Sequence, residues 1–171
     1  WFQDGTRLLV SGPGGPDQGL GIWTISVVSR TLRKLRDDAW LATPSPDGSL
    51  VAFISPDYRE IWLMKSSGEE SRRLLSIQSG ATFLQVAWAP DGQRLAYLKN
   101  YSTKFERVIE TCDLKAGKTS VIWSNPLLKS FCWSPRGRII AALSESTTDA
   151  SATPGQSDLW EVELRNFEKA S

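Results

Sequence analysis

Histidine is absent from all 171 residues. That absence removes every Ser-His-Asp and Cys-His nucleophile arrangement, along with the usual His-containing zinc sites. Cysteine occurs twice, at Cys112 and Cys132, too few for a disulfide framework and without metal-ligand spacing. Both read as buried, small apolar residues, because free cysteine is among the most buried residue types; whether they pair is left open. There is no excess of either charge: Lys and Arg number 20 against 19 Asp and Glu, a net charge of +1. Nucleic acid and acidic membrane surfaces are therefore not expected as partners. No apolar run approaches the roughly 18 residues of a membrane span, and no signal peptide is visible, so direct membrane insertion is not expected. Helical spacing of apolar residues is missing as well.

What the chain does contain is one phrase repeated four times. Its clearest copy is Ser45-Pro46-Asp47-Gly48, running straight into Ser49-Leu50-Val51-Ala52-Phe53-Ile54. The others are Trp1-Phe2-Gln3-Asp4-Gly5, Trp88-Ala89-Pro90-Asp91-Gly92 and Trp133-Ser134-Pro135-Arg136-Gly137, each also followed by an apolar run. The turn glycines Gly5, Gly48, Gly92 and Gly137 are spaced by 43, 44 and 45 residues, a period that marks a repeat architecture. Proline at the second position and glycine at the fourth specify a tight turn into a strand, and Asp4, Asp47 and Asp91 sit where a carboxylate accepts local backbone amides. Pro46, Pro90 and Pro135 belong to the same scaffold. Repeat boundaries fall at about 1–38, 39–80, 81–125 and 126–171, forming a single region over 1–171.

Apolar residues alternate or run in short blocks bounded by Gly, Pro, Asp and Ser, the patterning of strands. Each repeat divides into four strands, a to d, although the first has lost most of strand a. Strand b is expected at Arg7 to Ser11, Leu50 to Ser55, Arg94 to Leu98 and Arg138 to Leu143. Strand c is expected at Ile22 to Val28, Glu60 to Lys65, Val108 to Leu114 and Leu159 to Leu164. Strand d should run through Arg30 to Leu35, Ser71 to Leu75, Thr119 to Trp123 and the terminal stretch from Phe167. The Gly-rich loop Gly12 to Gly19 lacks the Gly-Lys-Ser/Thr ending of a phosphate cradle. Trp1, Trp88 and Trp133 precede the a–b turn, with Pro44 in the fourth place, and Trp23, Trp62 and Trp160 occupy strand c; such recurrence reads as packing between units. Trp40 and Trp123 fall outside that register and are candidates for a role beyond the core.

Taken together, the turn, the apolar strand with its Ala-[Phe/Tyr], and the Ile-Trp of strand c resemble the WD-like repeat of TolB-type β-propellers. The resemblance covers essentially the whole chain. Gln3 in place of proline, Arg136 in place of aspartate and Pro44 in place of tryptophan depart from it. It implies an all-β fold, a β-propeller of four-stranded antiparallel blades with four repeats present. Four such repeats are expected to belong to a ring of six to eight blades, or to pair with a second copy through open blade faces. The resemblance also favours a periplasmic or extracytoplasmic setting in a bacterial protein.

In such a fold the a–b and c–d turns occupy one face and the b–c and d–a loops the other. The second face carries the variable segments, where binding tends to reside. Aromatic and Arg residues are the expected anchors, which selects Trp40, Tyr58, Arg59, Tyr101 and Phe105, the last two in a loop from Asn100 to Phe105. With no histidine, no paired acids at defined spacing and no Gly-x-Ser-x-Gly nucleophile motif, the reading is a non-catalytic module that binds a protein or peptide, without catalytic residues, cofactor or metal. The rivals are the substrate-gating propeller of a prolyl-oligopeptidase-like serine peptidase and the sensing domain of a bacterial regulator or kinase.

Overall fold

Residues 1–13, 19–78 and 80–143, with the backbone of 159–162, are described by a computed structural model. Among the described residues, fourteen strands make four antiparallel sheets. The first is β1 (Arg7–Pro13), β2 (Leu20–Ser26) and β3 (Leu32–Asp37); the second is β4 (Trp40–Pro44), β5 (Leu50–Ile54), β6 (Glu60–Lys65) and β7 (Arg72–Ser76). The third is β8 (Ala81–Trp88), β9 (Arg94–Tyr101), β10 (Glu106–Asp113) and β11 (Thr119–Ser124); the fourth is β12 (Leu128–Trp133), β13 (Ile139–Leu143) and β14 (Leu159–Val162). Strands follow one another in chain order within each sheet, so every connection is a hairpin and each sheet is a blade. The Ser144–Ser157 loop and the strand expected from Phe167 lie outside the described residues.

Alternation along the b strands explains how the blades stack. In β5, Val51 and Phe53 point back to a core with Phe2, Ile22 and Met64, while Ala52 and Ile54 point forward to one with Phe83, Leu95 and Tyr97. In β9, Leu95 and Tyr97 face the second blade, and Ala96 and Leu98 face Leu128, Phe131 and Ile139 of the fourth. The second and third blades therefore bury both faces, and each large apolar side chain among these contributes on the order of 1.5–3 kcal/mol when fully withdrawn from water.

The four turns at the strand a–b junctions close with the same bond. The amides of Gly5, Gly48, Gly92 and Gly137 donate to the carbonyls of Phe2, Ser45, Ala89 and Ser134 at 2.9 to 3.1 Å. Gly48 has φ of +71°, the left-handed geometry that glycine adopts without steric cost. The fourth turn is one residue shorter than the others. The Ser134 amide donates to the carbonyl of Arg138, four residues on, whereas the Ala89 amide donates to that of Arg94, five residues on. The deletion moves the apolar phase by one, so Ile139, Ala141 and Leu143 face the third blade.

Tryptophans lock neighbouring blades together. Trp88 Nε1 donates to the carbonyl of Thr43 at 3.1 Å and Trp133 Nε1 to that of Ala87 at 3.3 Å, each reaching one blade back. Trp1 holds the same place in the first repeat but is 69% exposed, because no blade precedes it among the described residues. Trp123 is partly buried against the core between the third and fourth blades. Cys112 is buried but Cys132 is exposed, and the two are free thiols; Cys132 lies on the side of β12 that faces away from the third blade's core. Gly12 belongs to β1 rather than to a loop, and Val27 and Val28 lie beyond the end of β2.

Candidate functional site

The loops at the two ends of the blades are distinct in structure. At one end, the Ser66 amide binds the carbonyl of Ser49, joining the c–d turn to the a–b turn. At the other, the Ile77 amide binds the carbonyl of Arg59, joining the d–a connection to the b–c loop. The candidate residues lie at this second end.

Its centre is the short loop Ser55-Pro56-Asp57-Tyr58-Arg59. The Ser55 hydroxyl donates to Asp57 Oδ1 at 2.5 Å, the Arg59 amide to the same oxygen at 3.1 Å, the Glu60 amide to Ser55 Oγ at 2.9 Å, and the Tyr58 amide to the Ser55 carbonyl at 2.9 Å. The Ser45 turn makes the same four bonds with Asp47, Ser49, Leu50 and Gly48. In both turns the serine hydroxyl, followed by a backbone amide, holds the aspartate below the ordinary carboxylate range. The difference is at the fourth position, where Tyr58 takes φ of +60°, a conformation that costs a residue with a Cβ roughly 1–2 kcal/mol.

Packing holds Tyr58 there. Its carbonyl accepts the Phe83 amide at 2.7 Å, which ties the loop to the third blade. Its ring stacks on Trp40, with centroids 6.5 Å apart and planes 23° apart. Trp40 opens β4 directly opposite Ile54, one step from Ser55, so strand pairing delivers the indole to the loop. Both rings are half-buried and Arg59 is exposed. Beside them, Leu41 is 41% exposed at φ of +47°.

The neighbouring hairpin of the third blade continues this surface. Tyr101 is a strand residue, not a loop residue as the sequence suggests: β9 extends through Asn100 and Tyr101, which pair with Arg107 and Glu106. The polar run from Lys99 conceals this, since pairing here is set by the backbone and by Val108 opposite Lys99. On its other side Tyr101 pairs with Ala81, two residues from Phe83 along β8, so Tyr58 and Tyr101 are linked through one strand. Lys104 Nζ lies 5.8 Å from the centre of the Tyr101 ring. Phe105 is 87% exposed at φ of +49°. Phe83 is fully buried core.

The buried carboxylate, Glu110, lies elsewhere and is paired. Glu110 Oε2 accepts from the Tyr97 hydroxyl at 2.9 Å and from Lys99 Nζ at 2.7 Å. Burial and the adjacent Glu110 charge push the Tyr97 hydroxyl far up, so it stays protonated. Among the described residues no group of three or more His, Cys, Asp or Glu could hold a metal ion, and no helix is long and apolar enough to cross a membrane. No motif pointed to a cleft of about 420 Å³ at the opposite end of the blades, where Trp1, Trp88, Phe131, Cys132 and Gln85 converge.

The four stacked blades are those of a β-propeller. No family model matches the sequence, and no curated protein sequence matches it. Solved structures do. TolB from Acinetobacter baumannii is 15% identical, with 95% of this chain aligned to 40% of that one at a TM-score of 0.70. Oligogalacturonate lyase from Vibrio parahaemolyticus is 12% identical, with 85% of this chain aligned to 44% of that one at 0.70. The β-propeller domain of the trilobed protease from Pyrococcus furiosus is 16% identical, with 92% aligned to 50% at 0.63. The chain thus spans half or less of these proteins, and at such identities the likeness is one of fold.

Proposed function

We propose that the chain is a non-catalytic interaction module that holds a protein or peptide segment on the face built from Trp40, Tyr58, Arg59, Tyr101 and Phe105. The observation that carries this reading is the Trp40–Tyr58 pair, kept half-exposed by a tyrosine in a left-handed turn position that glycine would fill without strain. Strained backbone retained at a surface aromatic is a mark of a functional position. A half-exposed aromatic pair flanked by an exposed arginine has the make-up of a binding anchor. The neighbours in fold include enzymes as well as TolB, so the absence of histidine and the saturated Glu110 cluster support this reading better than likeness does.

The test uses a random-peptide phage library panned on the immobilised chain. Peptides enriched on the native protein should lose binding at least about tenfold on Trp40→Ala and on Tyr58→Ala/Arg59→Ala, with circular dichroism unchanged. Enriched peptides that bind these variants as well as the native protein would reject the surface.

A further inference from the structure

The indoles and phenols that serve packing in this chain have their polar atoms bonded. Trp23 Nε1 donates to the Gly12 carbonyl at 3.1 Å and Trp62 Nε1 to Glu60 Oε2 at 2.8 Å, while Trp88 and Trp133 donate to the carbonyls of Thr43 and Ala87. The buried Tyr97 hydroxyl is spent on Glu110. At the face around Ser55 to Arg59 the pattern reverses. The Trp40 indole, the Tyr58 and Tyr101 hydroxyls and the Arg59 guanidinium make no hydrogen bond among the described residues. Trp1, at the opposite end of the blades, and Trp123, packed between the third and fourth, are the other unbonded indoles among those residues. Trp40, Tyr58 and Tyr101 are half-buried, yet none of their polar atoms is a buried orphan, so these donors open to water.

The carbonyls that flank these side chains are already occupied. That of Ser55 takes the Tyr58 amide, that of Tyr58 the Phe83 amide, and that of Arg59 the Ile77 amide, and Asp57 Oδ1 takes the Ser55 hydroxyl and the Arg59 amide. Tryptophan and arginine side chains carry donors only, so the anchors of this face offer donors in excess. Such a face fits a ligand rich in acceptors and poor in donors. An ordinary extended peptide brings an N–H with every C=O, and an N–H pressed against this surface without a partner costs free energy. Proline brings the C=O alone. A run of prolines adopts the polyproline II helix, whose carbonyls make no internal hydrogen bonds, and proline-rich segments dock on aromatic-lined surfaces. Trp40 and Tyr58, with centroids 6.5 Å apart and planes 23° apart, supply rings for such a segment to pack on.

We infer that the segment held at this face is a proline-rich stretch in the polyproline II conformation, its rings packed on the Trp40–Tyr58 pair and its carbonyls accepting from Trp40 Nε1, the Tyr58 hydroxyl and Arg59. The Tyr101 hydroxyl, linked to Tyr58 through β8, offers a further donor along the same surface. The inference rests on the reading of this face as a binding surface and adds the chemistry of its occupant. Because the ligand's backbone is ordered before it binds, less conformational entropy is lost on docking.

Fluorescence anisotropy of a fluorescein-labelled decaproline peptide, titrated with the full chain, tests the inference. Saturable binding is expected, with a labelled glycine–serine peptide of the same length failing to bind. Tyr58→Phe keeps the ring and removes only the hydroxyl, and should weaken decaproline binding about three- to tenfold. Trp40→Phe removes the indole donor and should weaken it by at least as much. Decaproline that does not bind, that binds no better than the glycine–serine peptide, or that binds both variants as tightly as the native chain would overturn the inference. Should decaproline fail while proline-free peptides from the phage library still lose binding on Trp40→Ala, the surface stands and its proline-rich occupant falls. Library peptides indifferent to Trp40→Ala, with decaproline also failing, would remove both.

Discussion

Ser45-Pro46-Asp47-Gly48 and Ser55-Pro56-Asp57-Tyr58 are one turn written twice, at the two ends of the same strand, β5. The serine, aspartate and backbone bonds coincide, and the aspartates are held below their ordinary range by the same donors. Only the residue in the left-handed position differs. At the end shared by all four repeats it is glycine, which relieves strain. At the other end it is a tyrosine stacked on Trp40, which keeps the strain and gains a surface. The comparison teaches that a turn motif reports local geometry, while the residue at its strained position separates the turn shared by the repeats from the one at the proposed binding face.

The largest effect should separate the two ends by stability. Trp88→Ala removes a buried indole and its bond to Thr43, and should cost about 3–5 kcal/mol in urea unfolding. Trp40→Ala, at a half-exposed ring, should cost less than about 1.5 kcal/mol; equal costs would erase the distinction. Next come the strained positions. Gly48→Ala puts a Cβ where the nearest atom, Phe2 Cδ1, is 3.7 Å away, so space is adequate. The expected loss of about 1–2 kcal/mol comes from backbone conformation. Tyr58→Gly relieves that strain while giving up packing, and its melting temperature should stay close to the native value. A collapse of the fold on Tyr58→Gly would make the tyrosine structural.

The smallest effect concerns acid. Asp4 is drawn from 3.8 to about 2, first by the Thr6 amide and hydroxyl and then by Arg7. Asp47 is lowered by Ser45 and Ser49, and Asp57 by Ser55. For Asp91 burial acts upward, but the Gln93 amide and Arg94 outweigh it. Because these folded-state values lie below the unfolded one, their stabilisation is present above about pH 4 and is lost as pH falls toward about 2. Thermal melts from pH 7 to 2 should show that loss in both turn types, and Asp47→Ala should flatten it. A loss confined to one end would show that the two turns are not equivalent.

Much of the fold was legible because its signals repeat. The turn glycines, the apolar runs and the tryptophans recur at one period, and packing between blades turns that period into stacked sheets. The shortened fourth turn was legible only in the phase of Ile139, Ala141 and Leu143, which counting from Gly137 conceals. Tyr101 read as loop because Lys99 and Asn100 are polar, although strand pairing with Arg107 and Val108 carries β9 past them. Cys132 broke the expectation of burial because nothing among the described residues covers the outer side of β12. The equivalence of the Ser55 and Ser45 turns was visible in Ser-Pro-Asp, but the missing glycine hid it.

The most direct measurement pairs Tyr58→Gly with Gly48→Ala in peptide binding. Peptides enriched on the native chain should lose binding on Tyr58→Gly with little change in melting temperature, and retain it on Gly48→Ala despite the lower melting temperature. Binding that survives Tyr58→Gly and fails on Gly48→Ala would contradict the assignment of scaffold to one end of the blades and recognition to the other.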